Sequence, residues 1–450
     1  MRWPEDLLPE ERRKEQVQIH NRQGEDLDLR QVRARVEETL RAWLAGLGRE
    51  LKKVLLIPPD FTRYHSGAGV ITQILYRMLA PDCQVDIMPA LGTHLPLSET
   101  ERTAMFGEIP ADRFFVHDWR KDLVQIGEVP SSRLSEFSGG LVDYPVKVEV
   151  NKRLIARTPA KKSYDLVVSI GQVVPHEVVG MANYNKNIFV GCGGKEIIDK
   201  SHFLGAVYGM ERIMGRDYSP PRRLFDYAEE QFLGDMPLQY ILTVTTAAAD
   251  GGIRLHGLFI GRERRVFEAA VRLSQEHNLI LLDRPLPKVV VYLDPAEFKS
   301  TWLGNKAVYR LRMAVADGGE LIIIAPGVRQ FGEDKGIDRL IRKYGYVGRD
   351  RILELVEDEE DLRDNLSAAA HLIHGSSEGR FRVVYAPGGL KRDEIEQVNF
   401  TYLDLAEAES RYNPAVLREG FNTVNGEEVY FVKNPGLGLW AERRLFHQEQ

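Results

Sequence analysis

Three histidines, a lysine and an arginine stand in segments where they could act together. His94 follows the apolar run DIMPA in ALGTHLP, and His176 follows VVSIG in QVVPHEVVG. An imidazole titrates near neutrality, so such a pair could serve as general base in one direction and general acid in the other. A single histidine of this kind is more often a structural group bonded to nearby backbone. Two at one sheet edge shift the balance toward chemistry. Lys186, in GMANYNKNIFVGCGG, adjoins apolar residues that could strip its amine of water and free it as a nucleophile. A surface lysine at a strand end is the commoner outcome. His202, in GGKEIIDKSHFLG, stands 16 residues beyond Lys186 and could reach back to the same pocket; a packed helix histidine is its plain alternative. Arg63, in PPDFTRYHSG, could clamp a carboxylate or phosphate with its planar fork. Asp60 could orient it or bond a cofactor hydroxyl, with a surface ion pair as the ordinary reading. Lys306, in TWLGNKAVYR, could neutralise substrate charge across a cleft. Gly191, Gly193 and Gly194 could let backbone N–H groups cradle an anion, although glycines before a helix are also common turn chemistry.

These residues need a scaffold, and the chain supplies alternating strand and helix patterns, the mark of an α/β fold. VRARVEETLRAWLAG repeats apolar residues at helical spacing, KVLLIP reads as a buried strand, ITQILYRMLA as a helix and QVDIMPALG as a strand. YDLVVSIG is another strand, followed by the helices GKEIIDKSHFLGAVYGM and GRERRVFEAAVRLSQEHN. In an open α/β sheet, ligands collect beyond the carboxyl ends of the strands. If the strands are parallel, the loops of Asp60 and Arg63, His94 and His176 share that edge. The prolines of DRPLPK, residues 283–288, mark a boundary and a hinge. The expected organisation is therefore two α/β domains with a cleft between them. Residues 1–285 form the cofactor-binding and catalytic domain, and 288–414 a second domain that closes the cleft. A second unit of this kind has a helix at 305–316, the strand ELIIIAPG, helices near 335–344 and 359–374 and the strand FRVVYAP. The tail, about 415–450, carries the strand-like EVYFV and is free to return to the first domain.

The whole-chain properties set limits. With 450 residues, more than one core is expected. A formal charge of −6 lacks the basic face of a nucleic-acid protein. Two cysteines without a CxxC spacing suit a reducing, cytoplasmic setting. The charged start MRWPEDLLPEERRKEQ lacks the apolar core of a leader, and no run approaches the roughly 18 apolar residues of a membrane span. The oligomeric state is left open. There is no GxxxxGK[ST] loop, HExxH or GxSxG, and GAGVIT follows a loop rather than a strand.

Taken in order, DFTR at 60–63, LGTH at 91–94, PHEVVG at 175–180, Lys186 and GGKEIIDKSHFLG at 193–205 resemble the nickel-pincer lactate racemase family. The spacing matches as well, with Lys186 ten and His202 twenty-six residues after His176. The resemblance implies a racemase or epimerase that inverts C2 of a 2-hydroxy acid by reversible hydride transfer. It implies a pyridinium mononucleotide held covalently by Lys186, clasping Ni(II) through two sulfurs and a ring carbon, with His202 as the fourth ligand. Soft sulfur and imidazole donors in a square plane suit that ion. By the same resemblance His94 and His176 are the acid/base pair, and Arg63 and Lys306 bind substrate. Asp60, Gly92 and Thr93 help seat the cofactor, and separate proteins make and deliver it. The chain departs from the lactate enzymes where Ala182, Asn183, Tyr184 and Asn185 replace a glycine-rich run, and where Trp302 and Leu303 precede Lys306. With Asn183, Tyr184 and Trp302 beside the substrate, the added amides point to a larger, polyhydroxy acid such as an aldonate. The competing readings are a protein that stores or delivers the cofactor, a cofactor-free sugar-acid-binding protein, and a metal-dependent lyase with His94, His176 and His202 as ligands.

Overall fold

The computed structural model describes residues 17–20, 28–155, 164–247, 252–436 and 438–448. The expectation placed on residues 1–16 lies outside them. The first domain is built on a six-stranded sheet. Its parallel centre runs Leu238–Ala247, Leu166–Gln172, Lys53–Ile57, Gln84–Ile87, and Ile253–Gly261 and Val17–His20 extend it antiparallel. Parallel strands are covered on both faces, so their sequences are apolar without alternation. Accordingly Val54–Ile57 and Leu166–Gly171 are buried throughout. The order of the strands reverses on either side of Lys53–Ile57, which opens a crevice at its carboxyl end. The loops after Lys53–Ile57, Gln84–Ile87 and Leu166–Gln172 all leave from that edge.

A second sheet has the order Thr401–Tyr402, Arg382–Pro387, Val315–Ala325, Leu286–Tyr292, Glu427–Val432, Gly420–Val424, parallel except for the last pair. The tail therefore divides. EVYFV joins the second sheet, because Val289–Val291 pair with Tyr430–Val432. Only Leu439–Glu442, parallel to Leu279–Leu282, and the helix Arg443–Gln448 come back, where the Phe446 carbonyl accepts from Arg216. The helix expected near 359–374 is two, Glu360–Arg363 and Leu366–His374. Asn365 starts the second by accepting the Ala368 N–H at 3.1 Å.

One apolar cluster runs through both domains, from Leu55 and Val167 to Val289 and Leu321. Across the boundary Arg312 meets Glu211 at 2.6 Å, and the Ser367 hydroxyl donates to Asp199 at 2.6 Å. The helix Leu366–His374 thus lies against Lys195–Tyr208, which carries His202. Among the described residues no helix is long and apolar enough to cross a membrane.

Candidate active site

The Lys53–Ile57 strand ends in two prolines, and Asp60 then caps the turn Phe61–Ser66 by accepting the Thr62 N–H at 3.0 Å. The other carboxylate oxygen bonds Nδ1 of His94. Burial opposes the charge on Asp60, but His94, Thr62 and Arg63 together hold its pKa below the ordinary value. The tautomer assigned by this bond places the proton on Nδ1, so Nε2 keeps its lone pair, and the His94 side chain is 53% exposed. Gly92 shapes the turn before it. Its φ of 56° is left-handed, and its N–H donates to the Gly191 carbonyl at 2.9 Å, tying this loop to the end of the Lys186 segment. Thr93 is exposed beside it.

His176 is buried in a small hairpin, Pro175–His176 against Gly180–Met181. Its Nδ1 accepts the Val178 N–H at 3.1 Å, which leaves the proton of the neutral ring on Nε2. Burial chiefly lowers its pKa well below the usual histidine value. Glu177 opposes that shift, while Lys186, Arg63 and His202 add to it.

Lys186 opens toward the same space from the short helix Asn185–Phe189. Burial, then the Arg63 charge, brings its amine down to about 8, against the opposing fields of Glu177 and Asp60. The backbone just before it is unusual. Asn183 and Tyr184 have φ of 64° and 58°, a conformation suited to glycine, so a glycine-type turn is kept here by two larger residues. The buried Arg222 secures it, donating to the Met181 carbonyl at 2.6 Å and to Asn185 Oδ1.

His202 anchors Nδ1 on the Ile198 carbonyl at 2.6 Å, leaving Nε2 available as a ligand atom, the arrangement that metal-binding histidines use. Burial first, then Lys186, lowers its pKa. From the second domain, Lys306 begins the helix Lys306–Leu311 and feels Arg63, with burial the main cause of its lowered pKa. Arg63, His176, Lys186, His202 and Lys306 thus lie within reach of one another's charge, and Asp60, with His94 bonded to it, acts on Lys186 as well.

Other expected residues have different surroundings. The Tyr184 hydroxyl donates to the Arg262 carbonyl at 2.8 Å, and its ring stacks on Phe267 at 4.9 Å, so it faces the core rather than a substrate. Asn183 Oδ1 accepts the Tyr184 N–H at 2.7 Å, and Asn185 pairs with Asp226 at 2.6 Å. Asn185, whose oxygen also accepts from Arg222, is therefore used at both ends by the protein itself, and Asn183 has its oxygen engaged. Trp302 is half-buried and stacks on His371 at 4.2 Å. The three histidines do not make a common ligand set, since among the described residues no group of three or more His, Cys, Asp or Glu is arranged to hold a metal ion. That removes the geometry the lyase reading requires.

Sequence reasoning missed Glu177, Arg310, His371 and His374. Glu177 lies inside PHEVVG, and Arg310 follows Lys306 by four residues on one helix, a spacing that shares a face. The two histidines sit in the alanine-rich helix LSAAAHLIH, where burial pushes each pKa down to about 3.

Residues 7–213 match the family model described as the lactate racemase N-terminal domain. A crystal structure of a Thermotoga maritima protein has a TM-score of 0.78 at 23% identity, covering 94% of this chain and 100% of that one. The lactate racemase apoprotein from Thermoanaerobacterium thermosaccharolyticum has a TM-score of 0.65 at 18% identity, covering 89% of each chain. At such identities the likeness establishes a common fold. No curated protein matches the chain in sequence.

Proposed function

From the premise that residues 7–213 are a lactate racemase N-terminal domain, we propose that this chain is an isomerase inverting C2 of a 2-hydroxy acid. The observation that carries the reading is a desolvated lysine beside His176 and within the field of Asp60, the carboxylate that holds His94, with the two histidines of opposite hydrogen-bond polarity. The residues present fit a lysine-tethered nickel-pincer nucleotide. Lys186 offers an amine that is partly neutral near pH 7, and His202 offers an oriented Nε2. When bound, that group supplies nickel and a reversible hydride acceptor, the step that side chains cannot perform.

The chain's own residues account for the rest. Arg63 and Lys306 hold the substrate carboxylate from opposite sides of the cleft, fixing C2 between the two histidines. His94, kept in its tautomer by Asp60, accepts the hydroxyl proton at Nε2. His176 presents Nε2–H on the other side as a hydrogen-bond donor to the oxygen of the inverted centre, and the proton that His94 took up returns to that oxygen, so that both rings end as they began. The second domain excludes water through the helix Leu366–His374, which protects a keto acid between the two half-reactions. Cofactor-making and delivery proteins are the expected partners, and the unpaired Cys83 and Cys192 suit a reducing cytoplasm.

The test is intact mass and metal content after coexpression with active cofactor-making enzymes and nickel. An adduct on Lys186 with one nickel per chain, absent in Lys186→Ala, is the expected result. An unmodified lysine without nickel would sink the assignment and favour a cofactor-free acid-binding protein.

A further inference from the structure

Glu177 is the charged group in the cleft to which the reaction gives no task. It is half-buried, with a side chain 21% exposed. Burial opposes its charge, yet His176, Arg310 and Arg63 hold the carboxyl well below its ordinary pKa, so it is ionised. It is not the orienting partner of His176. The Nδ1 that lies 3.8 Å from Glu177 Oε2 already accepts the Val178 N–H, and two acceptors form no bond. Its own backbone N–H is the one donor it meets among the described residues. Its field reaches Lys186 and His202 in the first domain and Lys306, Arg310, His371 and His374 in the second, so it lies beside three of the groups to which the proposed function gives the cofactor and the substrate, Lys186, His202 and Lys306.

An ionised carboxylate has about four acceptor sites, water reaches the exposed part of this one, and a ligand that displaces that water without bringing donors leaves those sites unmet at a cost. A ligand can satisfy them with hydroxyls. We propose that Glu177 selects the substrate, accepting hydrogen bonds from hydroxyls beyond C2, so that the site takes a polyhydroxylated 2-hydroxy monocarboxylate of the aldonate class. A bare alkyl chain would strand the carboxylate, and a second carboxylate on the substrate would meet a like charge. The amide of Asn185 cannot make this choice, because the protein occupies both its nitrogen and its oxygen, and Asn183 has its oxygen occupied. The inference rests on Arg63 and Lys306 anchoring the C1 carboxylate, as the proposed function holds.

Calorimetric titration of the full chain with lactate, 2-hydroxybutanoate, malate and gluconate separates the two. Gluconate is expected to bind at least ~10-fold more tightly than lactate, as sites built for hydroxyls discriminate strongly. Glu177→Ala should remove most of that advantage. Glu177→Gln, which keeps one acceptor oxygen and the side-chain shape, should remove less and shows that loss does not come from misfolding. If both variants shift every acid by the same factor, Glu177 is a background charge and the inference fails while the reading of the site stands. The absence of a gluconate preference in the unaltered chain overturns it equally. Should none of the four acids bind, and Arg63→Ala change nothing, the hydroxy-acid site falls and the inference with it.

Discussion

His94 stands half in solvent with Nδ1 donating to the Asp60 carboxylate, whereas His176 is buried with Nδ1 accepting from a backbone N–H. The side chain and the nitrogen it offers, Nε2, are the same, but the protonation of that nitrogen differs. A carboxylate behind the ring leaves a basic Nε2 and stabilises the imidazolium that forms; a backbone donor behind it leaves Nε2–H and favours the neutral ring. Burial, with Lys186, Arg63 and His202, then depresses protonation of His176 further. On the proposed reading, a base and a hydrogen-bond donor are thus told apart by their supports before any substrate arrives. Inversion needs such an opposition on the two sides of one carbon, and a single sheet edge supplies it through two loops of different depth.

The largest effect is expected where that opposition is broken outright. Asp60→Asn would let an amide N–H face His94 and turn the tautomer around. Removing the carboxylate of an Asp–His pair in this way costs up to about 10⁴-fold in kcat in a well-studied hydrolase, and a fall of ~10³-fold or more is expected here in the cofactor-loaded enzyme, followed by polarimetry. Substrate affinity should change much less. A loss below ~10-fold would mean that Asp60 merely caps its turn.

Lys186, between the two histidines, gives a readout without turnover. Amine acylation followed by mass spectrometry should rise with pH through a midpoint of about 8, since the neutral amine reacts and its protonated form is disfavoured by burial. Arg63→Gln removes a cation, makes protonation easier and should move the midpoint upward, though not to the ordinary lysine value because burial persists. A midpoint near 10.5 in the unaltered chain, the ordinary value, would show the lysine to be solvated.

A smaller change is expected at Tyr184. Its hydroxyl bonds the Arg262 carbonyl, so Tyr184→Phe should cost about 1 kcal/mol of stability in chemical denaturation. Binding of 2-hydroxy acids should stay unchanged. A selective loss of acid binding would restore the tyrosine to the substrate wall and weaken the case for Glu177.

The difference between Tyr184 and His94 shows what sequence could reveal. Apolar runs such as KVLLI and LVVSIG are legible because a parallel strand is buried on both faces, and the residue after each strand is then placed at the carboxyl edge. The edge shared by Asp60, Arg63, His94 and His176 follows from that alone. Side-chain direction does not. Asn183 and Tyr184 adjoin the lysine in sequence, but their left-handed backbone turns the tyrosine ring into the core, and no composition or period encodes that turn. The strands Leu238–Ala247 and Ile253–Gly261 are hidden for a related reason, since threonines interrupt the apolar pattern of the first and Arg254, His256 and Gly257 that of the second. His371 and His374 look like core histidines of an alanine-rich helix, and only domain contact brings them beside Glu177.

The smallest expected effect concerns the roof that the second domain sets against the helix of His202. Ser367 donates to Asp199 from the second domain, and Asp199 shares the helix Lys195–Tyr208 with His202. Ser367→Ala removes one hydrogen bond, worth about 0.5–1.5 kcal/mol, and leaves a carboxylate that solvent can reach. Amide hydrogen exchange in 366–374 should quicken a few-fold, with no change in the loop of His94, which no part of that roof covers. The boundary at 283–288 is doubled by the strand Leu439–Glu442 alongside Leu279–Leu282, so any opening must bend two crossings and break the shared apolar cluster. Small-angle scattering with and without substrate should therefore differ only slightly. Faster exchange at both histidine loops in Ser367→Ala would instead show that the roof holds the whole edge, and that the supports of each ring do not act alone.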